Sequence, residues 1–439
     1  MLEPPDRAAL EALTDAEIDD FPEFSRVERH RDPDSIRDVR TETARALAEI
    51  PDLETLPSGA TVAVTAGSRG IRNIVSILRT VVAELERRDL DPFVIPSMGS
   101  HGGATAAGQR NLLATLGITE ESIGCEIRSS MDVERVATDG AGRAVYAASD
   151  AVDADAVLLM NRIKIHTDFV NGDVESGLCK MAVIGLGKQR GADAAHQAAT
   201  ASSFRDILPE WGPLVVENTP VVGGVGIVEN ARDETAIIEG LPAENMLERE
   251  RDLFERSLDL FPTLPVDDLD LLVVDEVGKH ISGTGMDTNV VGRMLIHGEP
   301  EPQSPSVTRI YLRSLTEQTD GNGLGIGLAD FVHRDAVRAL DTRETYINAL
   351  TGSEPERARI PMVLPTDATA LVAAYATAGV DHPSRARIAW IRNTMEPDHL
   401  VVSEPVADEL RDRADTTVRP LGPLDFEDGM FAWSWDRSG

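Results

Sequence analysis

The sequence predicts an α/β protein built from two α/β domains with largely parallel sheets. Two patterns carry that prediction: a repeated unit of short β-rich run, glycine turn and helix, and a second series of apolar runs separated by helix beyond residue 266. TVAVTA (61–66) stops at Gly67-Ser68-Arg69-Gly70, and apolar periodicity then predicts a helix from Ile71 to Leu90. PFVIPSMGSHGG repeats the plan, with its helix from about Thr105 to Leu116. DAVLLMNRI reads as a third strand, followed by a motif-rich loop and the helix ADAAHQAATASSF. Further β-like runs fall near 215–228, and the helix AENMLERERDLFERSLDLF ends in PTLPVDD, the linker candidate. LDLLVVDEVG, VTRIYLRSL, ARIPMVLP and ARIAWIRN then read as strands, with helices such as ALVAAYATAG between them. The domains are placed at 1–265 and 266–439, with 1–50 as a helical, polar lead-in to the first and the functional site expected in the cleft between them.

The chain has 439 residues, 42% of them hydrophobic, which is ample for two cores, and the balance of charge is extreme: 75 acidic residues against 42 basic, a net charge of −33. Such a polyanion lacks the clustered cations that nucleic acid or anionic lipid requires. No run approaches the ~18–20 apolar residues of a membrane span. The acidic N-terminus has no signal-peptide pattern, so a soluble cytoplasmic protein is expected. Cys125 and Cys179 form neither a disulfide framework nor a metal-ligand spacing.

Only four of the basic residues are lysine: Lys164, Lys180, Lys188 and Lys279. Acidic excess with lysine depletion is the composition of a protein that works in concentrated salt. Where arginine replaces lysine almost everywhere, the lysines that remain are candidates for what only a compact, deprotonatable amine can do. Three of the four lie between residues 164 and 188.

Three constellations could carry chemistry. Gly67-Ser68-Arg69-Gly70, between strand and helix, offers backbone amides, a hydroxyl and a guanidinium to a phosphate. Ser100-His101-Gly102-Gly103 puts a poorly shielded histidine at a strand end, where open α/β sheets hold ligands. The stretch 161–196 carries His166, Lys180 and His196, with glycines in GDVESGLCK and VIGLGKQRGA read as loops that let main chain approach a ligand. Two of these histidines would make an acid/base pair and a third a metal ligand. In DEVGKHISGTGMDTN, Lys279 is a candidate substrate-carboxylate cation. LTEQTDGNGLGIGLADF is a further glycine-rich, site-like loop without an assigned role.

The run GSRG, MGSHGGAT, NRIKIHTDF and GLCKMAVIGLGKQ with a following histidine resembles the nickel-pincer lactate racemase family, well over most of 60–200 and loosely beyond. That resemblance implies a covalently held pyridinium mononucleotide carrying thioamide and thiocarboxylate groups, with nickel bound by its carbon, two sulfurs and one protein histidine. It makes the first domain cofactor-binding, with Lys180 as the attachment lysine, His196 as the nickel ligand and His101 and His166 as the alternating acid and base. Arg69 would grip the cofactor phosphate beside Ser68, which stands where the family has threonine. Where the lactate racemase motif has an aspartate before and a proline after, this chain has Ala66 and Gly70, which points to a hydroxy acid other than lactate. The expected activity is racemisation or epimerisation of a small α-hydroxy acid, an isomerase reaction, with no nucleic-acid or membrane partner and room for a homo-oligomer. The alternatives are a nicotinamide-type hydride-transfer enzyme and a non-catalytic binding protein for a phosphorylated metabolite.

The salt expectation is independent of any resemblance. A net charge of −33 repels itself strongly in dilute buffer, whereas at ~1 M salt the Debye length falls to ~3 Å. The melting temperature should rise between about 0.1 M and several molar KCl, and a flat profile would refute salt adaptation.

Overall fold

The structure, a computed structural model, describes residues 14–31, 34–169, 172–352, 354–433 and 435. It divides into two compact units, Pro33–Phe261 and Met1–Asp32 with Pro262–Gly439. The polar lead-in is not wholly helical: it contributes strand β1 (Phe24–Arg29), which is paired antiparallel on both edges within the second unit's sheet. Its apolar residues Phe24 and Val27 need a sheet to bury them. The first 13 residues of the lead-in lie outside the described residues.

In the unit Pro33–Phe261, helix α1 (Val39–Ala48) precedes β2 (Thr61–Ala66), α2 (Ile74–Glu86) and β3 (Asp91–Pro96). Helix α2 buries Ile74, Ile77, Leu78, Val81, Val82 and Leu85, the spacing of a single apolar stripe. Helix α3 (Ala106–Thr115) starts where the Thr105 side chain accepts the Gly108 amide, and β4 (Glu126–Ile127) follows. A hairpin, β5 (Val133–Thr138) with β6 (Ala144–Ala148), leads to β7 (Ala156–Arg162). After β7 come a helical turn at Leu178–Lys180, a π-turn at Met181–Gly185, α4 (Lys188–Ala201) and α5 (Phe204–Glu217). Strands β8 (Val221–Glu229) and β9 (Thr235–Pro242) and helix α6 (Met246–Leu260) complete the unit.

The sheet order is β4-β3-β2-β7-β8-β9, parallel except for β9. Strands β2, β3 and β7 are buried almost end to end, as strands covered on both faces must be. The chain moves outward from β2 to β3 and β4, then returns to β7 on the other side of β2, so the sheet reverses direction between β2 and β7.

Two expectations need correction here. The β-like stretch from residue 215 begins as the last turn of α5, and the strand starts only at Val221. Apolar valines suit either element, and burial against the hairpin and the 178–185 turns decided for helix. The glycines of VIGLGKQRGA do not line a flexible loop. A Cβ on Gly185 would sit 2.8 Å from the Ser97 carbonyl oxygen, and one on Gly187 would sit 2.5 Å from the Val183 carbonyl oxygen. Gly185 is small so that helical backbone can lie against the loop leaving β3, and Gly187 so that the chain can pack against Val183 and Gly191 of its own helical path.

The second unit has β10 (Asp268–Val277), β11 (Ser306–Leu315), β12 (Phe331–His333), β13 (Met362–Leu364), α7 (Asp367–Ala378), β14 (Ile388–Ile391), β15 (His399–Ser403), α8 (Glu404–Arg411) and β16 (Thr416–Gly422). Its sheet order is β13-β12-β11-β10-β14-β15-β1-β16, parallel from β13 through β14. The C-terminal tail folds back onto this sheet: Trp435 and Trp390 both donate their indole N–H to Asp275, which Arg313 also pairs at 2.7 Å.

Gly185→Ala would press a methyl group into the Ser97 carbonyl. We expect a loss of about 1–3 kcal/mol in unfolding free energy by denaturant titration in molar KCl. A neutral effect would show that the 181–185 turn does not bear on β3.

Candidate active site

Open parallel sheets bind ligands beyond the carboxyl ends of their strands, at the point where the winding reverses. Here that point is flanked by β2 and β7, with β3 next to β2. Their three C-terminal loops carry Ser68 and Arg69, His166, and His101 respectively. Strand order therefore gathers residues nearly a hundred positions apart.

Ser68 Oγ hydrogen-bonds to His101 Nδ1, joining the loops after β2 and β3. Desolvation lowers the His101 pKa, and the charges of Arg69 and Lys180 lower it further, so the imidazole is neutral at neutral pH. Arg69 is exposed and, among the described residues, has no carboxylate partner. In a chain of net charge −33, where most buried or half-buried arginines are paired, that guanidinium is left for an anion from solution.

The turn carrying His101 is held from beneath. Lys188 is 1% exposed, adopts φ +51°, and donates its ammonium to the Pro96 carbonyl at the end of β3. Gln109, fully buried on α3, is 3.4 Å from Lys188 Nζ and donates to the carbonyls of Gly99 (2.8 Å) and His101 (3.3 Å). Gly102, at φ +68°, lies so close to Gly108 and Gln109 that a Cβ would approach their backbone to 2.6 Å. This explains one retained lysine: a slim ammonium fits a buried carbonyl niche that a guanidinium would overfill.

His166 sits on the loop after β7, closed by two backbone bonds between Lys164 and Ser176. Glu175, 2% exposed, accepts the His166 amide at 2.6 Å and the Gly172 amide at 3.4 Å. The ring stacks on Phe169 (centroids 4.8 Å apart) and its Nε2 contacts Lys180 Nζ. Burial pushes the Lys180 amine down to about 8, with Asp168 and Glu175 opposing and Arg69 and Lys164 adding to the shift.

Lys180 ends the helical turn that begins at Leu178, and two contacts fix that start. Asn161, on β7, donates to the Gly177 carbonyl at 2.8 Å. Glu250, on α6 and 1% exposed, accepts the Cys179 amide at 2.9 Å, the place of a negative cap at a helix start. A Cβ on Gly177 would lie 1.9 Å from Glu250 Oε1, so glycine here lets the carboxyl come up to the start of the turn. The buried Cys179 thiol beside this carboxyl is held well above its ordinary pKa and is no nucleophile.

His196 lies on α4. Its Nδ1 donates to the Ala192 carbonyl at 2.7 Å, which leaves Nε2 with the lone pair. Its ring meets Phe204 edge-on at 5.1 Å, Phe204 stacks on Phe169 at 5.9 Å, and Phe169 stacks on His166. A phenylalanine pair thus links the two histidines.

The structure brings together Ser68 with His101, and His166 with Lys180, and places Arg69 where its charge reaches both His101 and Lys180. Lys279 belongs to the other unit, in the loop after β10, where its ammonium donates to the Gly283 carbonyl. Sequence reading passed over Glu175, Glu250, Gln109 and the Phe169–Phe204 pair. Glu175 lies inside a quoted motif, yet nothing in one sequence marks a buried carboxyl among 75 acidic residues. Among the described residues no three His, Cys, Asp or Glu side chains converge as a metal site. A metal at His196 would take its remaining donors from a bound group.

No family model matches the chain, and no curated protein does. Several solved structures are similar to it. One is a protein from Thermotoga maritima, at 12% identity over 75% of this chain and 82% of that one, TM-score 0.47. Another is the lactate racemase apoprotein from Thermoanaerobacterium thermosaccharolyticum, at 11% identity over 84% and 88%, TM-score 0.47. Likenesses of this degree assign no activity, and the functional reading rests on the residues. No helix among the described residues is long and apolar enough to cross a membrane.

Burial pushes both Glu175 and Glu250 up to about 7 from an ordinary 4.5. A carboxyl whose folded pKa is raised favours folding while protonated, so stability from these groups is full below pH 4.5 and is lost as pH rises to about 7. Glu250→Gln, neutral at every pH, should flatten the fall in melting temperature between about pH 5 and about pH 8. An unchanged slope would show that Glu250 titrates as an exposed acid.

Proposed function

We propose that this protein racemises or epimerises a small α-hydroxy acid, using a nickel-pincer pyridinium mononucleotide. The carrying observation is a buried amine, a phosphate-ready Ser68–Arg69 turn and two imidazoles gathered at one reversal of the sheet.

The residues fit the group. Lys180 has the depressed pKa that an attachment amine needs, Arg69 is without a carboxylate among the described residues, and His196 keeps an Nε2 lone pair of the softness nickel accepts. When bound, the group would supply an electrophilic ring carbon able to take and return the α-hydrogen with its electron pair.

The protein's part is proton transfer and positioning. His101, neutral and oriented by Ser68, is fit to accept the substrate hydroxyl proton on one face. His166, held by the Glu175 carboxyl through its amide, is the partner for the opposite face. Inversion at one carbon needs a proton-handling group on each side, and the two histidines come from different strand ends. Ala66 and Gly70, standing where the resembling motif has aspartate and proline, point to a hydroxy acid other than lactate.

Protein from a cofactor-making host should carry an added mass on the Lys180 peptide together with nickel. His196→Ala should lose nickel while keeping the adduct, and Lys180→Arg should lose both, since a guanidinium cannot replace the amine. Hydroxy-acid epimerisation by protein with an unmodified Lys180 would sink the mechanism and favour a nicotinamide-type hydride transfer. Undiminished phosphometabolite binding by His101→Ala/His166→Ala with no turnover in the wild type would favour a binding protein.

A further inference from the structure

We propose that Lys180 is the apoprotein's selectively reactive lysine, because its uncharged amine is the form that the Nε2–H of His166 can hydrogen-bond. The argument turns on a tautomer. The Asp168 peptide N lies 3.1 Å from His166 Nδ1 in hydrogen-bond geometry. A peptide N–H only donates, so Nδ1 carries the lone pair and the proton of the neutral ring is on Nε2. Nε2 is the nitrogen that meets Lys180 Nζ. An ammonium has no lone pair to offer an N–H, whereas a neutral amine has one.

The opposite arrangement, an ammonium donating to a bare Nε2, requires the ring proton on Nδ1. There it would point at the Asp168 amide hydrogen, and the Asp168 carboxylate, at 3.6 Å, is too far to accept it well. The surroundings act in the same direction. Desolvation is the largest influence on Lys180, Arg69 and Lys164 disfavour its charge, and only Asp168 and Glu175 favour it. His101, the remaining titratable neighbour, is itself neutral. Among the described residues no carboxylate forms an ion pair with Lys180.

The other lysines differ in kind. Lys188 also has a pKa near 8, but it is 1% exposed with its ammonium spent on the Pro96 carbonyl. Lys279 donates to a carbonyl, as an ammonium does. Lys180 as a residue is half-buried, whereas Lys188 is fully buried. The inference deepens the proposed attachment role of Lys180, yet its physical content is testable without any cofactor.

The experiment is trace acetylation of apoprotein, made in a host lacking the cofactor and kept in molar KCl, followed by peptide mass mapping across pH 6–10. The amine nitrogen attacks one carbonyl of acetic anhydride, a C–N bond forms, acetate leaves, and the surplus amine proton passes to solvent. At pH 7 Lys180 should acetylate at least ~10-fold faster than Lys164 or Lys279, because a free lysine of pKa ~10.4 is almost wholly protonated there. His166→Ala should cut the Lys180 rate ~10-fold or more and move its midpoint towards ~10, while His166→Gln, which keeps an N–H donor, should restore much of it. Asp168→Asn keeps the amide that sets the His166 tautomer and removes a charge that favours the ammonium, so it should leave the Lys180 rate at pH 7 undiminished or faster. Equal rates for the lysines of the wild type at pH 7 would overturn the proposal. So would a Lys180 rate indifferent to His166→Ala in a variant whose near-UV circular dichroism matches the wild type; if that variant does not fold, the wild-type profile and His166→Gln decide. A reactive Lys180 that gains no adduct in a cofactor-making host would leave this inference standing and defeat the proposed function.

Discussion

The reversal of winding between β2 and β7 is the constraint on which the rest of the site depends. A chain that builds its sheet outward from β2 and then crosses back leaves two neighbouring strand ends whose loops diverge, with no crossover covering them. The β3 end lies beside them, so three loops face one region. Ser68 can reach His101 across 33 residues only because β2 and β3 are neighbours in register, with Ala66 opposite Pro96.

Around that region the protein uses buried polar groups of unusual kind. Lys180, Lys188, Glu175 and Glu250 all have pKa values displaced towards neutrality by desolvation. A buried charge is costly, and the response of such groups is to give up the charge where they can. Three of the four hold backbone in place: Lys188 binds the β3 exit, Glu175 the His166 loop and Glu250 the start of the turn bearing Lys180. Clusters of displaced pKa values are a mark of functional sites, and here geometry gives each one a task.

The helical path from Leu178 to Ala201 joins these devices. It contains a π-turn at 181–185 and a residue of positive φ at Lys188, both local departures that persist only when surroundings fix them. Gly185 lets the π-turn lie against Ser97, and the same turn sets Lys180 against His166. Backbone irregularity and close glycine packing thus serve one end, the placing of an amine and an imidazole on a surface set by another loop.

By itself the sequence determined the α/β class, the strands at TVAVTA, PFVIP and DAVLLMNRI, and the residues His101, His166, Lys180 and His196 as those worth attention. Each was readable because its signal is local: periodicity, turn chemistry, or a lysine where the chain otherwise uses arginine. What the tertiary structure decided was nonlocal. Residues 24–29 became a strand because the second unit's sheet had a place for them between β15 and β16, and the glycines of VIGLGKQRGA proved to be packing positions because backbone carbonyls, Ser97 against Gly185 and Val183 against Gly187, lie against them. Glu175 and Glu250 became special only on burial, since among 75 acidic residues a carboxyl's environment, and not its identity, sets its chemistry. The pairing of Lys180 with His166, and the tautomer that the Asp168 amide imposes, depend on hydrogen-bond direction in three dimensions, which spacing along a chain does not encode.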